Sequence, residues 1–250
     1  MKSETIKLDK ILGKNIYIKL FRKIYKYPLY YKKQVSMIEI EQNYKKTGTT
    51  TVGIKCKDGV VLAADKRAGA GIIVDKRAQK VFKITDYIAL TMAGTASDAQ
   101  LITKLISAEL RLMEIRKDKP VTVKEAANLL SGIVYQNIRR PSMIPGISHF
   151  ILAGKDNKGF HIYDIYPDGS LSECKDFISS GSGSVMAYGV LETLYSENIN
   201  VDEGIKLAAK CINAAIQRDM NSGDGIDIIT ITNQGIKTVL TKEIPTKIVI

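Results

Sequence analysis

The chain has 250 residues, 45% of them hydrophobic and 25% charged, and a formal net charge of +11. It contains no apolar run of about 18 residues or more, which excludes a membrane-spanning helix. Three cysteines (Cys56, Cys174, Cys211) without a CxxC spacing argue against a disulfide scaffold or zinc cage, and two histidines (His149, His161) leave little for histidine-based metal or triad chemistry.

The charge is uneven. Residues 1–36 hold ten basic side chains against Glu4 and Asp9, a net +8, so residues 37–250 carry only +3. This head also holds five of the 12 tyrosines (Tyr17, Tyr25, Tyr27, Tyr30, Tyr31), interleaved with lysine. Basic and aromatic interleaving suits nucleic acid, and a removable extension explains it as well. No uninterrupted apolar segment or small-residue cleavage site marks a secretory signal. Met37 is an alternative start, which would leave 1–36 untranslated.

From Thr49 the texture changes. Thr49–Cys56 and Val60–Asp65 read as strands joined by a turn at Asp58-Gly59. The run Val60-Val61-Leu62-Ala63-Ala64 predicts a strand covered on both faces. Val81–Thr85 and Tyr87–Ala93 are two more strands. A helix over Ala99–Lys117 puts Ile102, Leu105, Ile106, Leu110 and Met113 on one face. Thr122 and Glu125 form a capping box that opens a second helix, with Ala126, Leu129, Leu130, Ile133 and Val134 at helical spacing. Strands follow at His149–Ala153, Gly159–Tyr166 and, after the turn Pro167-Asp168-Gly169, Ser170–Cys174. Two further helices run from Val185 to Tyr195 and from Val201 to Asp219, the second with Ile205, Ala208, Ala209, Ile212 and Ile216 as its buried stripe. Ile226–Thr232 and Ile236–Leu240 form a closing hairpin. Runs of strands and runs of helices, without alternation, predict an α+β fold with antiparallel sheets, as one domain from 49 to 250.

Six segments carry candidate chemistry. Lys46-Thr47-Gly48 leads into Thr49-Thr50-Thr51-Val52-Gly53. Cleavage after Gly48 makes Thr49 N-terminal, with an α-amine of pKa about 7.7–8. That amine takes the proton of the residue's own hydroxyl near neutral pH, so nucleophile and base sit on one residue. The plain alternative is a strand rich in β-favouring threonine. Asp65 ends a strand buried on both faces and therefore needs a partner. Lys80, before the next strand, is a cation that lowers the pKa of a nearby amine. Read alone, both are surface charges at strand ends. Met92-Ala93-Gly94-Thr95-Ala96 offers a glycine N–H to a developing oxyanion, or is a plain strand-to-helix connection. Ser179-Ser180-Gly181-Ser182-Gly183-Ser184 is a glycine–serine loop before a helix, and it matches neither phosphate-binding pattern. Arg218-Asp219-Met220-Asn221-Ser222-Gly223 places a carboxylate and a hydroxyl three residues apart, or is a polar helix end closing at Gly223.

Taken in order, these segments, with Gln79-Lys80-Val81-Phe82 and Tyr188-Gly189-Val190-Leu191-Glu192, resemble the β-type subunits of the proteasome, the archaeal ones above all. The resemblance covers Thr49 to about Leu240. It implies an N-terminal-nucleophile hydrolase fold, a four-layer αββα sandwich of two antiparallel sheets between helix layers. It implies a threonine endopeptidase acting on unfolded proteins, with residues 1–48 removed by autolysis between Gly48 and Thr49 and 49–250 as the mature domain. Thr49 matches the nucleophile, Asp65 and Lys80 its charged partners, Asp219 and Ser222 the pair that orients the threonine amine, Ser182 the serine beside it, and Gly94 the oxyanion donor. Ala68, Ala78, Met92 and Ala96 match the substrate pocket. Three small side chains, one methionine and no acid among them predict cleavage after large apolar residues.

The resemblance implies no metal and no cofactor. It implies α-type subunits, other β-type chains in a heptameric ring and a regulatory ATPase acting through the α ring as partners, in the cytoplasm, with neither nucleic acid nor membrane. One departure is the glycine-rich stretch Ala68-Gly69-Ala70-Gly71-Ile72-Ile73, a residue shorter than in some relatives. There the backbone of Gly69 would pair with an extended substrate on a less rigid edge, slowing turnover. The head is also long for an archaeal member. Competing readings are a structural β subunit that is never processed and needs a second, active β-type chain, a bacterial-type two-ring peptidase, and a nucleic-acid-binding protein read from the head.

Overall fold

The computed structural model describes residues 48–69 and 72–244. The basic head, the Met37 start, Lys46, Thr47, Ala70 and Gly71 lie outside the described residues.

Strands β1 (Thr50–Cys56) and β2 (Gly59–Asp65) form the first hairpin. Cys56 faces Gly59 across it, so the turn residues are Lys57 and Asp58, one position earlier than the sequence suggests. Asp58 is used elsewhere: its Oδ1 accepts the N–H of Val201 at 2.9 Å. A short hairpin, β3 (Ala68–Gly69) and β4 (Ile73–Asp75), follows, and the periodicity had not shown it. Strands β5 (Val81–Lys83) and β6 (Ile88–Gly94) lead into helices α1 (Ala96–Lys117) and α2 (Val123–Arg139). Strands β7 (Ser148–Asp156), β8 (Gly159–Ile165), β9 (Leu171–Cys174) and β10 (Phe177–Gly181) come next. Helices α3 (Ser184–Leu194) and α4 (Val201–Arg218) precede the closing hairpin of β11 (Gly225–Thr232) and β12 (Gly235–Glu243).

Two five-stranded antiparallel sheets result, in the orders β10-β1-β2-β11-β12 and β5-β6-β7-β8-β9. Three apolar clusters define the layers. Val60, Leu62 and Ala64 of β2 pack with Ala89, Ile151 and Ile162 between the two sheets. Val61 and Ala63 point the other way, into a cluster with Leu207, Cys211 and Ile212 of α4. This is why the β2 run is continuously apolar: side chains alternate between two buried faces. Leu90, Leu152 and Ile165 pack under Ile102, Ile106 and Leu130 of α1 and α2. The order is helices, sheet, sheet, helices: an αββα sandwich.

The Thr122–Glu125 capping box is present, and Asn200 with Glu203 forms a second one on α4. Leu105 departs from expectation, at 43% exposure. Ala99, Ile102, Ile106 and Leu110 set the buried line of α1, and at 100° per residue Leu105 sits about 120° around from its centre. The larger departure is β10, where the serines and glycines suggested a loop. Phe177 and Ile178 begin a strand that pairs with β1, Thr50 facing Gly181 and Thr51 facing Ser180. Its hydroxyls serve the pairing: Ser180 Oγ meets Thr51 Oγ1 at 2.7 Å and Ser179 Oγ donates to the Thr51 carbonyl at 2.8 Å. Among the described residues no helix is long and apolar enough to cross a membrane.

Candidate active site

Gly48 and Thr49 precede β1, where its open end meets the ends of β2, β6 and β10. Thr49 is 5% exposed. Its Oγ1 donates to the carbonyl of Gly48 at 2.6 Å, the carbonyl of the peptide bond that joins the two residues. Its backbone N–H donates to Ser182 Oγ at 3.3 Å. A side chain at position 48 would run into the backbone and Cβ of Asn221, so glycine is what this approach admits.

The Asp65 and Lys80 side chains meet here. Asp65 is fully buried, and both of its oxygens are satisfied twice. Oδ1 accepts from Lys80 Nζ at 2.7 Å and from the Thr50 N–H at 2.9 Å. Oδ2 accepts from the N–H groups of Arg67 at 3.1 Å and Gly223 at 2.9 Å. A buried carboxylate is tolerable only with such a set of donors. Lys80 Nζ also reaches the Gly48 carbonyl at 3.4 Å. Burial pulls the Lys80 ammonium below the usual lysine range, and the Asp65 carboxylate partly offsets that. A cation so placed favours negative charge on a neighbouring oxygen.

Asp219 closes the other side. Helix α4 stops at Arg218 with Asp219 as its C-cap, not at Gly223, and the chain turns back under the site. Asp219 Oδ2 accepts from Ser182 Oγ and from Ser222 Oγ, both at 2.6 Å. The group next to the Thr49 nitrogen is therefore Ser182. Ser222 pairs with Thr50 Oγ1 at 2.6 Å and touches Asp219, a step further from Thr49 than the resemblance suggests. Gly181 brings the serine strand in: it sits at φ 91°, and a side chain there would strike the Thr49 carbonyl. Only glycine meets both conditions.

Beside Thr49 lies a cavity of about 660 Å³. Its lining includes Ala68, Gly69, Ala78, Met92 and Ala96, all five expected from the sequence, and Gly94 at the end of β6. Gly94 has φ 111°. The wall also takes in Val74, Asp75, Phe82, Gln100 and Lys104, which the sequence reading missed. These come from β4, from β5 and from the first turns of α1, and no local signal marks them as lining. Asp75 puts a carboxylate on a wall expected to hold none, although its Oδ1 accepts the Arg77 N–H at 2.8 Å. Gly69 pairs with Ile73 across a bulge, and a side chain on it would meet the Ile72 carbonyl. Among the described residues, no three His, Cys, Asp or Glu side chains are grouped to hold a metal.

The arrangement thus has a hydroxyl against a carbonyl, a buried ion pair at that carbonyl, a serine–carboxylate relay at the adjoining nitrogen, and a cavity alongside. Comparison with known proteins shows the family. The proteasome subunit family matches residues 45–231. The chain is 48% identical over 188 residues to a proteasome subunit beta of Ferroglobus placidus, covering 75% of this chain and 88% of that one. It is 43% identical over 199 residues to that of Methanocaldococcus vulcanius, with 79% and 87% covered. It is 48% identical over 191 residues to that of Nanoarchaeum equitans, with 76% and 95% covered. The family match and these relatives place the chain in the proteasome subunit family, with the β-type subunits.

Proposed function

We propose that this β-type proteasome subunit is a threonine endopeptidase whose active form begins at Thr49. The observation that carries the reading is the contact of Thr49 Oγ1 with the Gly48 carbonyl, 2.6 Å, with Lys80 Nζ at 3.4 Å from the same oxygen. In the first reaction Oγ1 adds to the Gly48 carbonyl carbon and its proton passes to the departing nitrogen. The Gly48–Thr49 amide becomes an ester, and the Thr49 amine is freed. Water then hydrolyses the ester, leaving a carboxylate on Gly48 and an N-terminal threonine.

Turnover repeats the steps on a substrate. The free amine, beside Ser182 and the Asp219 carboxylate, accepts the Oγ1 proton. The alkoxide forms next to Lys80, and an acyl ester on Thr49 follows. The N–H of Gly94 is the donor assigned to the oxyanion. The amine returns its proton to the leaving peptide nitrogen, and water releases the acyl group. While Gly48 remains attached, Thr49 carries an amide that is no usable base, so the unprocessed chain is inert. Residues 1–48 are then a propeptide. Its removal only on assembly restricts activity to finished particles, built with α-type subunits, other β-type chains in a heptameric ring and a regulatory ATPase at the α ring, in the cytoplasm. Cleavage of unfolded proteins follows large apolar residues that fill the alanine-lined cavity.

The test is co-expression with α-type subunits of the same source. Thr49→Ala assembles and loses hydrolysis of fluorogenic peptides to background, whereas Thr49→Ser keeps part of it, because a hydroxyl and an amine remain. Undiminished hydrolysis by a particle holding only the alanine chain would show that another residue is the nucleophile.

A further inference from the structure

The two charged halves of the site belong to different parts of the chain. Asp65 ends β2, and Asp219 and Ser222 lie in the turn between α4 and β11. Arg67 touches both. Its backbone N–H donates to Asp65 Oδ2 at 3.1 Å. Its guanidinium takes Asp224 in a fork, Nε to Oδ2 at 2.7 Å and Nη2 to Oδ1 at 3.3 Å, and its Nη1 donates to the Met220 carbonyl at 3.0 Å. One side chain thus grips residues 220 and 224 of the turn that carries Asp219 and Ser222.

The surroundings are built for this grip. Asp224 is buried and sits in the left-handed region, φ 61°, which is uncommon for non-glycine residues and which aspartate adopts more readily than most. The guanidinium occupies the space beside Gly223, where a side chain would strike it. That same Gly223 donates its N–H to Asp65 Oδ2 at 2.9 Å, and its carbonyl accepts the Lys66 N–H at 3.1 Å. The turn therefore cannot slide along the strand end without breaking the donors of Asp65, the carboxylate that holds Lys80.

We infer that Arg67, paired with Asp224, is a positioning residue that sets the Asp219–Ser182 half of the site against the Asp65–Lys80 half. This deepens the proposed function and rests on it, since what is positioned is the Thr49 amine and hydroxyl. Arg67 touches no reacting atom. Its planar fork matters more than its charge, because a compact ammonium cannot span Asp224 and the Met220 carbonyl together.

The test compares assembled particles carrying Arg67→Lys, Asp224→Asn or Asp227→Asn. The last variant weakens the neighbouring buried pair, Lys66 Nζ to Asp227 Oδ2 at 2.9 Å, whose charged groups bond each other while the Lys66 N–H bond to Gly223 is left in place. Arg67→Lys and Asp224→Asn lower kcat tenfold or more with KM changed less than threefold, and they raise the acid limb of the kcat–pH profile. The limb rises because Lys80, no longer fixed, depresses the Thr49 amine less. The double variant loses no more than the worse single one. Asp227→Asn stays within twofold of the parent in both. An unchanged kcat and pH limb in Arg67→Lys overturns the inference, as does an equal effect in Asp227→Asn, which marks general loosening. If Arg67→Lys does not assemble, Asp224→Asn decides on the same criteria. Thr49→Ala in the same series separates the two levels: if it remains active, the nucleophile assignment fails, and if it is inactive while Arg67→Lys is normal, only the positioning role fails.

Discussion

The two sides of Thr49 are built on opposite rules. On one side the buried Asp65, Lys80, Asp219 and Ser222, with the exposed Ser182 at their edge, form a polar network in which each group has a named partner within 2.6–3.3 Å. On the other side the cavity has a mainly apolar wall, Ala68, Ala78 and Ala96 around Met92, with Asp75, Gln100 and Lys104 also lining it. Buried polar networks tolerate little change, because removing one member leaves another unsatisfied. An apolar wall tolerates change and transmits it as shape. Substitutions on the first side should therefore act on rate, and substitutions on the second on choice of substrate.

The largest expected break is at Lys80. Lys80→Ala blocks both processing and peptide hydrolysis, lowering turnover by roughly 10²–10³-fold or more. It also leaves Asp65 without its charged partner, at a cost toward the low end of about 3–5 kcal/mol because three N–H donors remain. Lys80→Arg does not restore turnover, since a guanidinium does not fit where the ammonium sits 2.7 Å from Asp65 and 3.4 Å from Gly48. Native mass and single-turnover assays of the two variants check this. Normal processing by Lys80→Arg would mean that positive charge alone suffices.

A smaller and different effect is expected in the wall. Ala78→Leu fills the cavity, lowering kcat/KM for peptides with Phe or Leu before the cut by roughly 10- to 100-fold and sparing those with Ala. A peptide panel varying only that residue reads the shift. A uniform loss across the panel would place Ala78 on the rate side of the comparison. A preference of the parent for Arg or Lys would instead assign the selectivity to Asp75.

The smallest effect lies away from the site, at the α2 capping box. Glu125 is held at a pKa of about 2 by Lys117 first and the Thr122 backbone N–H second. A depressed carboxylate stabilises above its unfolded pKa and loses that contribution as pH falls from about 4.5 toward about 2. Because the pair is largely solvated, the contribution is under about 1 kcal/mol. Glu125→Gln speeds amide exchange in the first turn of α2 at pH 6, and the difference from the parent shrinks as pH falls below about 4.5 and closes near about pH 2. A pH-independent difference would mean that the charge is idle.

How much of this was legible in the sequence follows the same division. The hairpins, the helix stripes and the Thr122 cap announce themselves because their causes are local: alternation, spacing, a side chain three residues away. Strand β10 was hidden because its pairing uses serine hydroxyls and glycine, the composition of a loop. The site segments could be read individually and through their resemblance, but their assembly could not. That Asp65 accepts from Lys80, Thr50, Arg67 and Gly223 is a set of contacts reaching 158 residues along the chain, which no local pattern encodes. The relay to the Thr49 nitrogen through Ser182, with Ser222 turned to Thr50, is likewise a matter of tertiary geometry. So is the grip on Asp224: aspartate is among the residues that enter the left-handed region most readily, but nothing local says that Arg67 holds it.

The most direct test of the account is the intact mass and N-terminal residue of this chain in a purified particle that hydrolyses peptides, measured beside Thr49→Ala. The account predicts a chain beginning at Thr49 in the active particle and an uncleaved Gly48–Thr49 bond in the inactive alanine variant. An active particle in which this chain, as the sole β-type subunit, still carries Gly48 would contradict it.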